Sequence, residues 1–575
     1  MRKVKELSKR AGMLRNAALA ASLCVAAVAP AHAEGTAFVH LFEWKWNDIA
    51  AECESFLGPK GYDAVQISPP NEHVNFHTWW ARYQPVSFTN LTSRSGTEAE
   101  LHSMIQRCHA KGVKIIADVV LNNWANNLDG GNTGSGGSTW TPRNYPGLSP
   151  RDFHQPSCTI SYGNANSVWD CELYNMPDLN TGAAYPQQYA ATYMKKLKAM
   201  GVDGFRIDAG KHIRPSELGA ILAQAGNPWN FIEVIGAGGE AAEIQPGKYT
   251  QYGLVTEFAF GPAVASNFKG QIKNLKTLGS GWGLLNSANA VSFIDNHDRE
   301  RGHGGGGNFT YKDGARYNLA NVYMLAFPYG YPSVMSGYNF TDTDAGPPGA
   351  GGCANSAWTC QHRWANIANM VGFRNYTKGA WTVDRWWDNG NNQIAFGRGS
   401  AGFVVINNES TGLYQTLQTG MPAGDYCNIL AGAEACSGST VRVDGNGYAT
   451  FSVGAMAAAA IHGGAKGGAC AGCFKQVFPS LNLRGTPNGW ASLPMALVAD
   501  NTWEASVNFD GQAQQRFKFD VSGNWSVNYG DNGNDGVLDQ TGADIATAVV
   551  GQYQVRVNDQ TLAYTLTRLA GTAKR

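Results

Sequence analysis

Between Phe38 and about residue 375, short apolar runs recur eight times, separated by stretches with helical spacing. A chain that alternates strand and helix in this order favours a parallel sheet, because each crossover returns the next strand in the same direction. The runs are Phe38–Phe42, Ala64–Ile67, Val113–Val119, Gly204–Ile207, Phe231–Ile235, Val255–Phe258, Val291–Ile294 and Ser333–Met335. Between the second and third, Leu101, Met104, Ile105 and Cys108 share one helical face. Eight strands with intervening helices is the count of a closed (β/α)8 barrel, an α/β fold expected over 34–122 and 180–375.

The third connection is too long for an ordinary loop and is rich in Gly, Asn and Ser, including Gly130-Gly131-Asn132-Thr133-Gly134; an inserted domain is expected over 123–179. Beyond Arg374 the helical spacing stops and short strand-like runs alternate with turns, which predicts a β-sandwich domain over 376–463. Gly463-Gly464-Ala465-Lys466-Gly467-Gly468 opens a flexible linker, 464–476, and a last β-rich unit follows over 477–575, the size of a small sandwich.

Lys3, Lys5, Lys9, Arg10 and Arg15 precede an apolar stretch, about Ala17 to Val28, and Ala31-His32-Ala33 offers a small-x-small cleavage site. This reads as a signal peptide, 1–33, with a mature chain beginning at Glu34; the alternative is a buried first helix. Cys24 does not make a lipoprotein anchor, since Leu23 stands where a small residue is needed. Setting Cys24 aside leaves ten of eleven cysteines, an even number that suits an oxidising compartment. Spacing favours Cys158–Cys171, Cys353–Cys360, Cys427–Cys436 and Cys470–Cys473, leaving Cys53 with Cys108; Cys470 and Cys473 could instead be a redox or metal pair. A formal charge of zero with no basic run argues against nucleic acid as a partner. A secreted monomer without a membrane anchor is expected.

Three strand ends carry chemistry. In Gly204-Phe205-Arg206-Ile207-Asp208, alternation places Arg206 and Asp208 on one face, where the guanidinium holds Asp208 ionised for nucleophilic attack; a structural ion pair is the plainer reading. Glu233 interrupts the apolar run Phe231–Ile235, where burial should raise its pKa and keep it protonated as a general acid, or leave it a structural, paired charge. Asp295-Asn296-His297-Asp298 closes the seventh strand with two carboxylates, an amide and an imidazole. All three lie at C-terminal strand ends, the face where such barrels carry active sites. A nucleophile and an acid flanking a glycosidic bond form the pair of a retaining glycosidase, with carboxyl groups about 5 to 5.5 Å apart.

These segments resemble the signature regions of the α-amylase family of glycoside hydrolases, over nearly the whole stretch from Phe38 to His462. The likeness is strongest to the animal-type branch and its bacterial relatives. It includes Gly61-Tyr62-Asp63-Ala64-Val65-Gln66-Ile67-Ser68-Pro69-Pro70, Trp79-Trp80-Ala81-Arg82-Tyr83-Gln84-Pro85 and His297-Asp298-Arg299-Glu300-Arg301-Gly302-His303-Gly304. The resemblance implies a secreted α-amylase cutting internal α-1,4 bonds of starch and maltooligosaccharides, with Asp208 as nucleophile, Glu233 as acid/base and Asp298 gripping sugar hydroxyls. It implies sugar contacts at Trp79, Trp80, Tyr83, Gln84, Asn123, Arg206, Lys211, His212 and His297, with Asp118 positioning Arg206. It also implies one Ca²⁺ held by Asn122, Asp178 and the carbonyl of His212, oxygen donors that suit a hard cation.

Two positions depart from the family pattern. Asn122-Asn123-Trp124 stands where the family has Asn-His, so Asn123 can hydrogen-bond a sugar but cannot act as a cation. Chloride-binding relatives use Arg, Asn and a second basic residue; here Arg206 and Asn296 are present but Ser333 takes the third place, so no chloride requirement is expected. His303-Gly304-Gly305-Gly306-Gly307-Asn308 is either a mobile loop over the cleft or a passive linker. The last unit is similar to starch-binding sandwich modules, with Trp490 and Trp525 as candidate stacking residues and Trp503 as core. Rival readings are an exo-acting or transglycosylating member of the superfamily and a non-catalytic starch-binding protein.

Overall fold

The computed structural model describes residues 36–305, 309–432, 436, 438–467, 476–499 and 501–569. The expected signal segment, the Cys470–Cys473 pair and most of the linker lie outside them. Eight parallel strands close into a barrel: β1 Phe38–Leu41, β2 Ala64–Ile67, β3 Lys114–Val119, β4 Gly204–Ile207, β5 Trp229–Ile232, β6 Leu254–Thr256, β7 Ala290–Ser292 and β8 Tyr331–Ser336. Closure is by β1 against β8, with Phe38 opposite Ser333. Phe38, Ala64, Ile116, Phe231, Val291 and Tyr331 fill the lower barrel interior, so it is a packed core and not a pore. The outward faces pack on the surrounding helices. The helix Glu98–His109 buries Leu101, Met104, Ile105 and Cys108, and Thr97 and Glu100 cap it reciprocally.

Four strands, β1, β5, β6 and β7, end earlier than the apolar runs suggested. β5 stops at Ile232 and β7 at Ser292, so Glu233 follows its strand and is not in the middle of one. An apolar run continues past the ladder because the residues beyond it are still buried under the loops: Val234 is 0 % exposed.

The long third connection folds around Trp124, which is buried and packs against Phe88, Tyr145 and Phe153. That packing accounts for an aromatic after Asn123. Its Cys158–Cys171 bridge forms, as do Cys53–Cys108, Cys353–Cys360 and Cys427–Cys436.

After the barrel, a four-stranded and a five-stranded antiparallel sheet enclose Phe403, Val405, Leu417, Tyr426, Phe451 and Ile461. Phe396, Val404 and Ile406, on the opposite face, join the barrel's own core. Lys466–Gly467 pairs with Asp425–Tyr426, so the chain expected to begin a linker at 464 is still in the sheet there; backbone hydrogen bonds outweigh the freedom of its glycines. The last unit is a second sandwich with a separate core that includes Trp503, Phe517 and Phe519. No described helix is long and apolar enough to cross a membrane.

Candidate active site

The C-terminal mouth of the barrel is built around one guanidinium. Arg206, inward-facing on β4 and 3 % exposed, donates from Nη1 to both oxygens of Asp118 at 2.8 Å and to Asp208 Oδ1 at 2.8 Å. Its Nη2 lies 2.8 Å from Glu233 Oε1. Arg206 and Asp208 share a face because they are two residues apart on a strand, and Glu233 arrives from the end of the adjacent β5. Tyr83 O–H donates to Asp118 Oδ2 at 3.0 Å from the side.

Local backbone geometry completes this arrangement. Ala209 adopts a left-handed conformation (φ 47°) directly after Asp208, and its N–H donates to Glu233 Oε2 at 2.8 Å. At Gly210 a β-carbon would stand 2.2 Å from Ile232 Cγ2, so only glycine lets the chain pass this close to β5.

Electrostatically the site is a carboxylate cluster with too little positive charge. Burial pushes the Asp208 carboxyl well above the usual range, and Glu233 and Asp118 add to the rise against the pull of Arg206. Asp118 moves up for the same leading reason. Asp298 is pushed up to about 7, by burial and then by Glu233, with Arg206 and Arg301 opposing. The guanidinium is shared among three carboxylates, so its pull on Asp208 is opposed by burial and by the neighbouring acids.

Above the cluster opens a cleft of about 460 Å³. Among the expected residues, Trp79, Trp80, Tyr83, Gln84, Asn123 and Lys211 line it, as do His212, His297, Asp208, Glu233 and Asp298; Arg206 lies beneath, beside a smaller cavity. His297 stacks on Tyr83 at 5.2 Å between centroids, with Nε2 3.5 Å from Asp298 Oδ2. Burial and Arg206 hold its imidazole well below the usual range, so it is neutral. Asn296 Nδ2 donates to Asp298 Oδ2 at 3.3 Å. Asn123 donates to the Tyr83 carbonyl at 2.8 Å, and Gln84 Oε1 accepts from the N–H groups of Asn126 and Asn127, so both also anchor the insert. Lys211 Nζ lies 2.5 Å from Glu240 Oε2 and 4.9 Å above the Tyr162 ring.

Sequence reasoning missed several lining residues: Tyr162, Leu173, Tyr174 and Met176 from the insert, Ile235, and the rim residues His303 and Asp344. Those of the insert lie in irregular loops without periodicity. His303 and Gly304 were flagged only as part of a glycine-rich segment, and both prove to line the cleft.

At the proposed calcium position, Asp178 is 1 % exposed and its Oδ1 has no hydrogen-bond partner, while Oδ2 lies 2.5 Å from His154 Nδ1. Burial pushes this carboxyl up to about 7, and the Asn122 side chain lies beside it. His212 reaches the insert through Nδ1, 3.2 Å from the Val168 carbonyl, and burial lowers its pKa to about 4. A buried carboxylate oxygen without a donor, next to an amide, is a donor set that fits a hard cation.

Comparison with known proteins agrees with this geometry. Residues 57–227 match the profile "Alpha amylase, catalytic domain" and residues 386–464 match "Alpha amylase, C-terminal all-beta domain". An α-amylase of Aeromonas hydrophila is 54 % identical over 357 residues, covering 61 % of this chain and 80 % of that protein. The chain belongs to the α-amylase family. A Pecten maximus α-amylase is 43 % identical, covering 75 % of this chain and 93 % of its own. α-Amylase I of Eisenia fetida, solved as a maltohexaose complex of a Glu-to-Gln mutant, superposes with a TM-score of 0.70 at 39 % identity, covering 74 % of this chain and 97 % of that one.

A carboxyl raised by burial makes the folded α-amylase bind more protons than the unfolded chain between about pH 4 and 7, so its contribution to stability falls as pH rises through that window. Asp298→Asn removes this term. Its melting temperature should exceed the wild type's by roughly 2 °C at pH 8, with the difference shrinking toward pH 4. Scanning calorimetry at both pH values checks it; a gain that grows toward pH 4 would reverse the sign.

Proposed function

We propose that this α-amylase, a glycoside hydrolase of α-1,4-glucans, cuts internal bonds of starch by retaining double displacement. Asp208 attacks the anomeric carbon while Glu233 protonates the departing glycosidic oxygen; Glu233 then takes a proton from the water that releases the glycosyl ester. The observation that carries this reading is that Asp208 and Glu233 share one guanidinium at the mouth of the barrel. Asp298, beside neutral His297, grips hydroxyls of the ring being distorted. Aromatic residues on both sides of the carboxylates favour a glucan chain lying across the cleft, and hence internal cleavage over an exo mode.

The domain organisation we propose keeps the expected boundaries, apart from a linker beginning after Gly467. Four disulfides and the basic-apolar N-terminus support secretion. In the last sandwich, Trp525 is 38 % exposed and lies 6.1 Å from Trp490, with Arg484 over its ring, whereas Trp503 is buried and donates to Asp559. Exposed Trp525 beside half-buried Trp490 supports a starch-binding role that raises local substrate concentration. Asn122, Asp178 and the His212 carbonyl would hold Ca²⁺, which when bound cross-links the insert to the barrel and supplies no reacting group.

Three outcomes follow. Glu233→Gln should lower the turnover of soluble starch by about 10³-fold with an unchanged circular-dichroism spectrum, the wild type releasing the α-anomer first; activity within tenfold of wild type would refute the assignment. Calcium should raise the melting temperature of the wild type but not of Asp178→Asn; equal shifts in both would place the ion elsewhere. In a dialysed sample, added chloride should leave the rate unchanged. The cavity beside Arg206, Asn296 and Ser333 offers a guanidinium already met by carboxylates, and burial keeps the neighbouring His40 neutral. A steep chloride dependence would contradict this.

A further inference from the structure

Besides Arg206, a second guanidinium is buried at the C-terminal mouth of the barrel. Arg301, 4 % exposed, follows the short helix His297–Glu300 and does not itself line the cleft. Its Nη1 donates to the His297 carbonyl at 2.8 Å and lies 3.4 Å from Glu300 Oε2. Nε and Nη2 have no hydrogen-bond partner among the described residues. Four aromatic rings surround the group instead: its Cζ lies 4.9 Å from the centroid of Phe42, 5.4 Å from Trp79, 5.0 Å from Tyr338 and 4.5 Å from Phe340. Aromatic faces carry the partial negative charge that a desolvated cation short of oxygen acceptors requires.

These rings come from separate parts of the chain. Phe42 directly follows β1, Trp79 lies between β2 and β3, and Tyr338 and Phe340 follow β8. Arg301 belongs to the connection after β7, so one side chain joins four of the loops at this face. Two of the groups it ties together handle sugar in the proposed reaction. Trp79 lines the cleft, and the helix before Arg301 carries His297 and Asp298. The Arg301 backbone N–H donates to the Asp298 carbonyl at 3.0 Å, and Trp79 Nε1 donates to the Thr343 carbonyl at 2.9 Å. Phe42 also stacks on His297, 4.9 Å between centroids.

An apolar side chain would fill the same space without burying a charge, and such a replacement commonly costs a fold little. It would not supply direction. A planar fork can bond the His297 carbonyl while meeting rings on several sides at fixed angles. We propose that Arg301 is a positioning residue for starch cleavage, setting the Asp298 helix against Trp79 so that both meet one glucan in register. Its effect passes through His297, Asp298 and Trp79. A small displacement of the helix moves the Asp298 carboxylate off the hydroxyls of the ring being distorted, which costs turnover more than binding. This assignment rests on the reading of Asp298 as the carboxylate that grips that ring.

The test is a double-mutant cycle on maltoheptaose, with Arg301→Met made in the wild type and in Asp298→Asn. Methionine keeps an unbranched apolar stem and removes the charge and the donors. In the wild type it should lower kcat about 30-fold and raise KM no more than about threefold, in a protein that melts within about 5 °C of the parent. In Asp298→Asn the same change should lower kcat less than about threefold, because the group being positioned is already disabled. Arg301→Lys, which keeps the charge over the rings, should show the same non-additivity and carries the cycle if Met does not fold. Equal fold losses in the two backgrounds would mark a general packing role and overturn the assignment. So would a kcat within about threefold of wild type for both substitutions. An Asp298→Asn variant as active as the wild type would instead overturn the reading on which the assignment rests.

Discussion

One buried guanidinium organises the functional end of this protein. Arg206 is nearly inaccessible and lies within hydrogen-bond distance of Asp118, Asp208 and Glu233. Three carboxylates so close would repel one another and drive up their pKa values without a central cation. Arginine suits the position better than lysine because its planar fork meets several oxygens at fixed angles and keeps its charge when buried.

The barrel makes this possible by delivering Asp118, Arg206, Asp208 and Glu233 from three adjacent strands at one level. That level is set by local detail: Ala209 is left-handed and Gly210 is pressed against Ile232, so the chain turns immediately after Asp208. The insert after β3 then closes one side of the cleft with Tyr162, Tyr174 and Met176, and Asp178 ties its far end back to the barrel beside Asn122. An orphaned oxygen on Asp178 costs stability as long as no donor or cation meets it, which is why this junction should respond to calcium.

Much of this could be read from residue order. Strand positions were legible because short apolar runs alternated with stretches of helical spacing, and the pairing of Arg206 with Asp208 followed from the two-residue period of a strand. The helix Glu98–His109 was visible in the spacing of Leu101, Met104, Ile105 and Cys108. What stayed hidden depends on contacts distant along the chain. Glu233 was placed inside a strand because Val234 and Ile235 continue the apolar run, although their partners are loops. The sharing of Arg206 with Glu233 could not be inferred from its own segment. Tyr162 and Tyr174 lie in irregular loops whose course is set by tertiary packing, and no period marks them.

The central claim, that the fork of Arg206 holds nucleophile and acid in register, is tested most directly by turnover of Arg206→Lys on soluble starch. Lysine keeps the charge and removes the planar fork. The account predicts a fall in kcat of about 100-fold or more, with a displaced pH profile and a melting temperature near wild type. A variant that keeps kcat within about threefold and an unaltered pH profile would contradict it.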